Sequence, residues 1–155
     1  MEQTYTTFYA SPVGWLKIRG AAGGIEAIEF VDEEVQAGGE VPECLQECVQ
    51  QLQEYFEGRR RTFSLRLRPA GTEFQKRVWQ ALRAIPFGRT ASYQDIATEV
   101  GNPKAVRAVG LANGRNPIPI VIPCHRVIGK NGALVGFGGG LWRKEFLLQH
   151  EQSLA

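Results

Sequence analysis

The densest chemistry in this 155-residue chain lies in Ile122-Pro123-Cys124-His125-Arg126-Val127. A thiol is a weak nucleophile until it ionises, and a free cysteine is only a few per cent thiolate at neutral pH. A neighbouring imidazole, a cation such as Arg126 or a helix N-terminus can change that balance. Adjacency in sequence does not by itself bring the Cys124 thiol to His125, because neighbours on extended backbone point to opposite faces. A turn or a water relay is required. The imidazole in turn needs an acceptor that fixes its tautomer, as in other nucleophile–base–orienter triads, and Glu151 is the candidate. Cys44 and Cys48 stand one helical turn apart with no histidine nearby. They read as small residues on a helix rather than half a zinc site, so no metal and no cofactor is expected. Three cysteines are also too few, and odd in number, for a disulfide framework.

The charge is divided along the chain. Residues 1–58 carry two basic residues against eleven acidic ones, a net −9, and residues 59–155 carry sixteen against five, a net +11. An acidic half that supports structure and a basic half that meets a polyanion would produce this split, although basic residues that merely solvate helix faces would too. The elements follow the same division. Tyr5–Tyr9, Gly14–Arg19 and Gly24–Val31 are short β-prone runs that predict a small antiparallel sheet. Residues 32–41 form a polar connection, and Leu45, Val49, Leu52 and Phe56 recur at helical spacing until Gly58. Arg59–Ala70 is basic and partly extended, and Arg68-Pro69-Ala70-Gly71 reads as the linker.

Beyond it, Thr72 and Gln75 form a capping box for a helix with Phe74, Val78, Leu82 and Ile85 on one face, ended by Pro86 and Gly88. Ser92 and Asp95 cap a second short helix through Val100, and Gly101 closes it. Asn102-Pro103 then starts a third helix, from Lys104 to about Ala112. Two short helices across a tight glycine turn suggest a helix-turn-helix with Lys104–Asn113 as its recognition helix, although any helical hairpin can show this spacing. Val127-Ile128-Gly129, Lys130-Asn131-Gly132 and Ala133-Leu134-Val135 predict a hairpin, with Asn-Gly supplying the tight turn and the whole serving as a wing. The glycine cluster Gly136–Gly140 leads into a last amphipathic helix through Glu151. The expected class is α+β: an N-terminal sheet-and-helix domain over 1–70, then a mostly helical winged helix-turn-helix domain over 71–155.

The run from Asn116 through Pro119 and Pro-Cys-His-Arg to Gly129 resembles the signature of the O6-alkylguanine-DNA alkyltransferases. So do Gly136-Phe137-Gly138-Gly139-Gly140-Leu141, Lys144-Glu145-Phe146-Leu147-Leu148, Ser92-Tyr93-Gln94, Gly101–Ala105 and Arg107–Gly110. The likeness is close from about Thr72 to Glu151, whereas the first half is similar only in length and pattern. It implies DNA repair by irreversible transfer of an alkyl group from O6 of guanine, and from O4 of thymine as well, onto Cys124. His125 would take the thiol proton through a water, Glu151 would orient His125, and Asn116 would brace the segment carrying the thiol. The Tyr93 hydroxyl and the Gly138 N–H would donate to the leaving base, and Phe137 would wall its pocket. The target nucleotide would be flipped out of double-stranded DNA, with Arg107 entering the stack from the minor groove. Gln94, Asn102 and Lys130 would contact the DNA backbone or its surroundings, and Lys104, read from its place on the candidate recognition helix, would supply charge toward DNA. Phe137 stands where many members have tyrosine and Gly138 where some have serine, so any hydroxyl role there is lost.

A cysteine hydrolase with a Cys-His-Glu triad is the other enzyme reading, and a plain winged-helix regulator the non-enzymatic one. A non-repairing relative that only binds alkylated DNA would lack the cysteine. No apolar run approaches the roughly 18–20 residues of a membrane span, and the polar start carrying Glu2 lacks a signal-peptide layout. The expectation is a monomeric cytoplasmic protein without membrane contact, associated with the nucleoid in a prokaryote.

Overall fold

The computed structural model describes residues 2–36 and 38–155. Met1 and Ala37, which fall in the polar start and in the 32–41 connection, lie outside the described residues. The chain divides into two units, Met1–Ala70 and Gly71–Ala155.

In the first unit, buried Leu16 and Ile18 alternate with Lys17 and Arg19, the period-two pattern of a strand covered on one face. Strands β1 (Tyr5–Ser11), β2 (Gly14–Ala21) and β3 (Gly24–Val31) form an antiparallel meander in chain order. Arg66 and Arg68 extend it, since the Ile25 N–H donates to Arg66 at 2.9 Å and the Arg68 N–H returns to Ile25 at 2.8 Å. Helix α1 (Glu43–Phe56) packs on β1 and β2. Its buried row is Leu45, Cys48, Leu52 and Tyr55, one position round from the expected Leu45, Val49, Leu52 and Phe56. Both rows satisfy a 3.6-residue period, and tertiary partners decide between them. A Cβ on Gly20 would stand 3.1 Å from a Leu45 methyl, so the glycine admits Leu45, while the Tyr55 ring lies 5.5 Å from that of Phe63.

The second unit opens on α2 (Glu73–Arg83), with both arms of the Thr72/Gln75 capping box formed. Gly71 is fixed by close approach, because a Cβ there would meet the Trp79 ring at 2.5 Å. The Trp79 indole N–H donates to the Ala112 carbonyl at 2.8 Å. Strand β4 (Ala91–Ser92) runs into α3 (Tyr93–Glu99), whose Ser92/Asp95 box is also complete.

The next helix, α4, spans Val106–Gly114 rather than starting at Lys104. The Ala105 N–H donates to the Asn102 carbonyl at 2.9 Å. Asn102-Pro103 therefore builds a β-turn, with proline at the position that favours its fixed φ, and does not cap the helix. Lys104 lies in that turn.

The expected hairpin is also corrected. Asn131 and Gly132 do take positive φ, 67° and 77°, but the flanks form no antiparallel ladder. The loop is closed by two bonds, Gly129 N–H to the Ala133 carbonyl at 2.8 Å and Gly132 N–H to the Gly129 carbonyl at 3.1 Å. Strand β5 (Val127–Ile128) pairs in parallel with β4 instead. Val127 is buried by that pairing, whereas residues 133–135 are exposed or half-exposed, so a second strand would bury little apolar surface. Helix α5 (Leu141–Leu154) closes the unit. Its buried positions keep helical spacing yet include Arg143, Lys144 and Glu151 beside Leu147 and Leu148, so its inner face is not the apolar stripe expected.

Candidate active site

Cys124 opens a single 3₁₀ turn, Cys124–Arg126, that lifts the chain out of extended geometry and removes the opposite-face problem of adjacent residues. The loop before it is held by one side chain. Asn116 donates from Nδ2 to the Ile122 carbonyl at 2.7 Å and accepts at Oδ1 from the Ile118 N–H at 2.9 Å. Between these anchors Ile120 has φ 74° while 1% exposed. A β-branched residue in the left-handed region is strained by about 1–3 kcal/mol. Burial of Ile118, Ile120 and Ile122, together with the Asn116 clamp, offsets that strain and fixes where the thiol stands.

Around the turn the charged groups pair with one another inside the protein. His125 is fully buried, and its Nε2 lies 2.6 Å from Oε2 of Glu151 on α5. Arg126 donates from Nε to Oε1 of Glu151 at 2.7 Å, from Nη2 to Oε2 at 3.0 Å and from Nη1 to the Ile85 carbonyl at 2.7 Å. Burial alone would raise the Glu151 pKa, but the bonds and charges of His125 and Arg126 outweigh it and hold the carboxyl well below its usual range. An ionised Glu151 can only accept, so it places the imidazole proton on Nε2 and leaves the lone pair on Nδ1. That Nδ1 is buried and has no hydrogen-bond partner among the described residues. Burial also lowers the His125 pKa against the pull of Glu151, so the ring is neutral.

The thiol itself is neutral in this state. Burial pushes Cys124 up to about 11, while the Asn116 side chain and the Lys144 charge pull the other way. Lys144 is fully buried, donating to the Val135 carbonyl at 2.9 Å and to Gly136 at 3.4 Å. The half-buried Tyr93 hydroxyl donates to the same Val135 carbonyl at 3.3 Å. Phe137 is half-buried and Gly138 exposed in the segment that follows.

The structure thus brings together Cys124, His125, Glu151, Asn116 and Tyr93, all singled out by residue chemistry or by resemblance. Gln94, Asn102, Lys104, Arg107 and Lys130 are exposed, with Gln94 bonded to the Pro103 carbonyl at 2.9 Å. Two participants, Lys144 and Asn113, were not foreseen, and a third, Arg126, was expected as a cation acting on the thiol. Arg126 serves the carboxylate rather than the thiol. Lys144 was legible as a lysine one turn before Leu147 and Leu148, on the row that ends at Glu151. Asn113, buried on the inner side of α4, donates to the Cys124 carbonyl at 3.5 Å, and nothing in its spacing signals this.

The buried imidazole has a measurable consequence. Its folded pKa lies below the 6.5 of an exposed histidine, so below that pH the unfolded chain binds a proton that the folded one refuses. Stability should therefore fall as pH drops below about 6.5, and fall further below about 4.5 as the unfolded chain protonates Glu151. Urea titrations across this range should show the first loss in the wild type and not in His125→Gln. A first loss of equal size in both would place its origin elsewhere.

Residues 73–153 match the model of the 6-O-methylguanine DNA methyltransferase DNA binding domain, and residues 4–69 that of the ribonuclease-like domain of the same protein. A methylated-DNA–protein-cysteine methyltransferase of Methanosarcina acetivorans is 47% identical over 96% of this chain and 99% of its own. A constitutive methylated-DNA–protein-cysteine methyltransferase of Bacillus subtilis is 62% identical over 70% of this chain and 66% of its own. The crystal structure of Mycobacterium tuberculosis O6-methylguanine methyltransferase superposes with a TM-score of 0.88 at 42% identity, covering 99% of this chain and 95% of that one. Mycobacterium tuberculosis OGT in complex with DNA gives 0.88 at 44% identity, over 97% and 94%.

Proposed function

The chain belongs to the 6-O-methylguanine DNA methyltransferase family, and from that membership we propose how its own residues repair DNA by moving an alkyl group from guanine O6 onto Cys124. The observation that carries the assignment is the buried Cys124 turn with the His125 imidazole hydrogen-bonded to Glu151 at 2.6 Å.

A thiol held near 11 does not attack as a resting thiolate, so deprotonation accompanies attack. The proton leaves through a water to Nδ1 of His125, the lone-pair nitrogen, and Glu151 stabilises the imidazolium that forms. Sulfur bonds to the alkyl carbon as the carbon–O6 bond breaks. The leaving guanine anion is stabilised by the Tyr93 hydroxyl toward a ring nitrogen and by the Gly138 N–H toward O6. Lys144 places a positive charge near the sulfur and ties α5 to the Val135–Gly136 backbone. Phe137 walls the base pocket. The products are a thioether on Cys124 and an unalkylated guanine that stays in its DNA strand once its anion regains a proton; a thioether does not hydrolyse, so each molecule acts once. O4-alkylthymine presents the same alkyl–oxygen bond and is a second substrate.

The target carbon is unreachable inside a stacked duplex, so the nucleotide is extruded from double-stranded DNA. The second unit approaches the minor groove, Arg107 fills the vacated space, and Gln94, Asn102, Lys104 and Lys130 meet the backbone, positioning the protein without reading sequence. One chain carries every group required, so the protein acts as a monomer. Its three free cysteines suit a reducing cytoplasm. Among the described residues no helix is long and apolar enough to cross a membrane.

With excess duplex carrying O6-methylguanine, the expected yield is at most one repaired lesion per protein molecule. Peptide mass spectrometry should find one added methyl, on Cys124 and not on Cys44 or Cys48. Sustained turnover would instead establish a hydrolase.

A further inference from the structure

The outer face of α4 carries a residue for which neither the fold nor the transfer chemistry has a use. Leu111 is 61% exposed, more than any other large hydrophobic side chain among the described residues. In a helix, positions four apart lie on one face. Arg107 therefore stands one turn before Leu111 and Arg115 one turn after, both exposed, with exposed Ala108 and Gly114 beside them. No aspartate or glutamate occurs between Glu99 and Glu145. An apolar knob between two cations, in a stretch without acids, does not fit an apolar protein partner. Nor does it fit a second copy, whose like charges would repel. It fits a surface whose apolar floor runs between two rails of negative charge. The minor groove of a duplex has this form, with sugar faces and base edges between phosphates, and proteins that enter it use leucine as a wedge beside arginine.

We propose that Leu111 is an apolar wedge that α4 presses into the minor groove one helical turn from Arg107, making it a DNA-binding residue of a kind distinct from the cations around it. The proposal rests on the reading of α4 as the DNA-facing helix. Arginine and leucine then divide the work. Arg107 occupies the space of the extruded nucleotide, and Leu111 displaces water from the groove beside it, so the open duplex is held by apolar contact as well as by charge.

The test is Leu111→Ala, with Arg115→Ala as the charge control. Alanine is the best helix former and the site is exposed, so folding is not at issue. Leu111→Ala is expected to weaken binding to duplex carrying O6-methylguanine about tenfold. The slope of log affinity against log salt should stay unchanged, because no counterion is involved, whereas Arg115→Ala should lower that slope by about one. Transfer from the free base O6-benzylguanine should be the same in Leu111→Ala as in wild type. Wild-type duplex affinity in Leu111→Ala overturns the wedge, and so does an equal loss on the free base. A change confined to the sedimentation of the free protein assigns the residue to a contact between copies and also overturns it. If wild type itself neither binds nor repairs the duplex, the functional reading fails; if wild type repairs and Leu111→Ala is indifferent, only the wedge fails.

Discussion

Replacing Glu151 with alanine is expected to slow alkyl transfer about 10²–10⁴-fold and to remove about 3–5 kcal/mol of stability. The two effects have separate origins in one side chain. Glu151 fixes the His125 tautomer through the 2.6 Å contact at Nε2, and without it the ring is free to protonate at the nitrogen that must accept. The stability effect comes from Arg126, whose buried guanidinium makes two of its bonds to this carboxylate. A buried cation stripped of its partner is worse than a well-packed apolar residue in its place. Glu151→Gln combined with Arg126→Met should therefore recover most of the stability while transfer stays slow. Single-turnover rates and urea unfolding on wild type, Glu151→Gln, Arg126→Met and the double variant separate these contributions. An unchanged rate in a folded Glu151→Ala protein would remove Glu151 from the chemistry.

Whether a feature could be read from the sequence depended on whether its cause is local. The two capping boxes, Thr72/Gln75 and Ser92/Asp95, are determined within four residues and formed as expected. The positive φ of Asn131 and Gly132 is equally local and also appeared, but the hairpin expected from it depends on what the flanking strands can bury. Val127 found a better partner in β4. Asn102-Pro103 suits both a helix start and a turn, and only the Ala105 to Asn102 bond decides between them. At the site, the need of a buried imidazole for an acceptor pointed to Glu151 across 26 residues. Lys144 shares the row of Leu147, Leu148 and Glu151, yet a lysine on a helix is ordinarily solvated, so its burial was not expected. Its burial is explained by two backbone carbonyls near the glycine cluster, which no residue type announces.

Arg107→Ala is expected to slow repair of duplex O6-methylguanine about a hundredfold, since an arginine that filled the place of an extruded nucleotide would offset unstacking worth a few kcal/mol. Transfer from free O6-benzylguanine should stay near wild type, because no base leaves a stack. Arg107 is the second residue of α4 and is exposed, and α4 is tied inward by the Trp79 bond to Ala112 and by Asn113 to the Cys124 carbonyl. The helix that presents the arginine is therefore anchored to the turn that presents the thiol, and an arginine entering the stack would deliver its nucleotide toward a fixed sulfur. A phosphate contact predicts something else: a modest loss of affinity and a salt slope lower by about one. Lys104→Ala supplies that comparison, and supplies it well because Lys104 lies in the turn before α4, where its removal deletes a charge without touching the helix. Equal deficits for Arg107→Ala and Lys104→Ala on duplex would reduce Arg107 to one more phosphate contact. A deficit for Arg107→Ala that is the same on duplex and free base would instead locate the damage in the Cys124 turn, through the Asn113 and Trp79 ties.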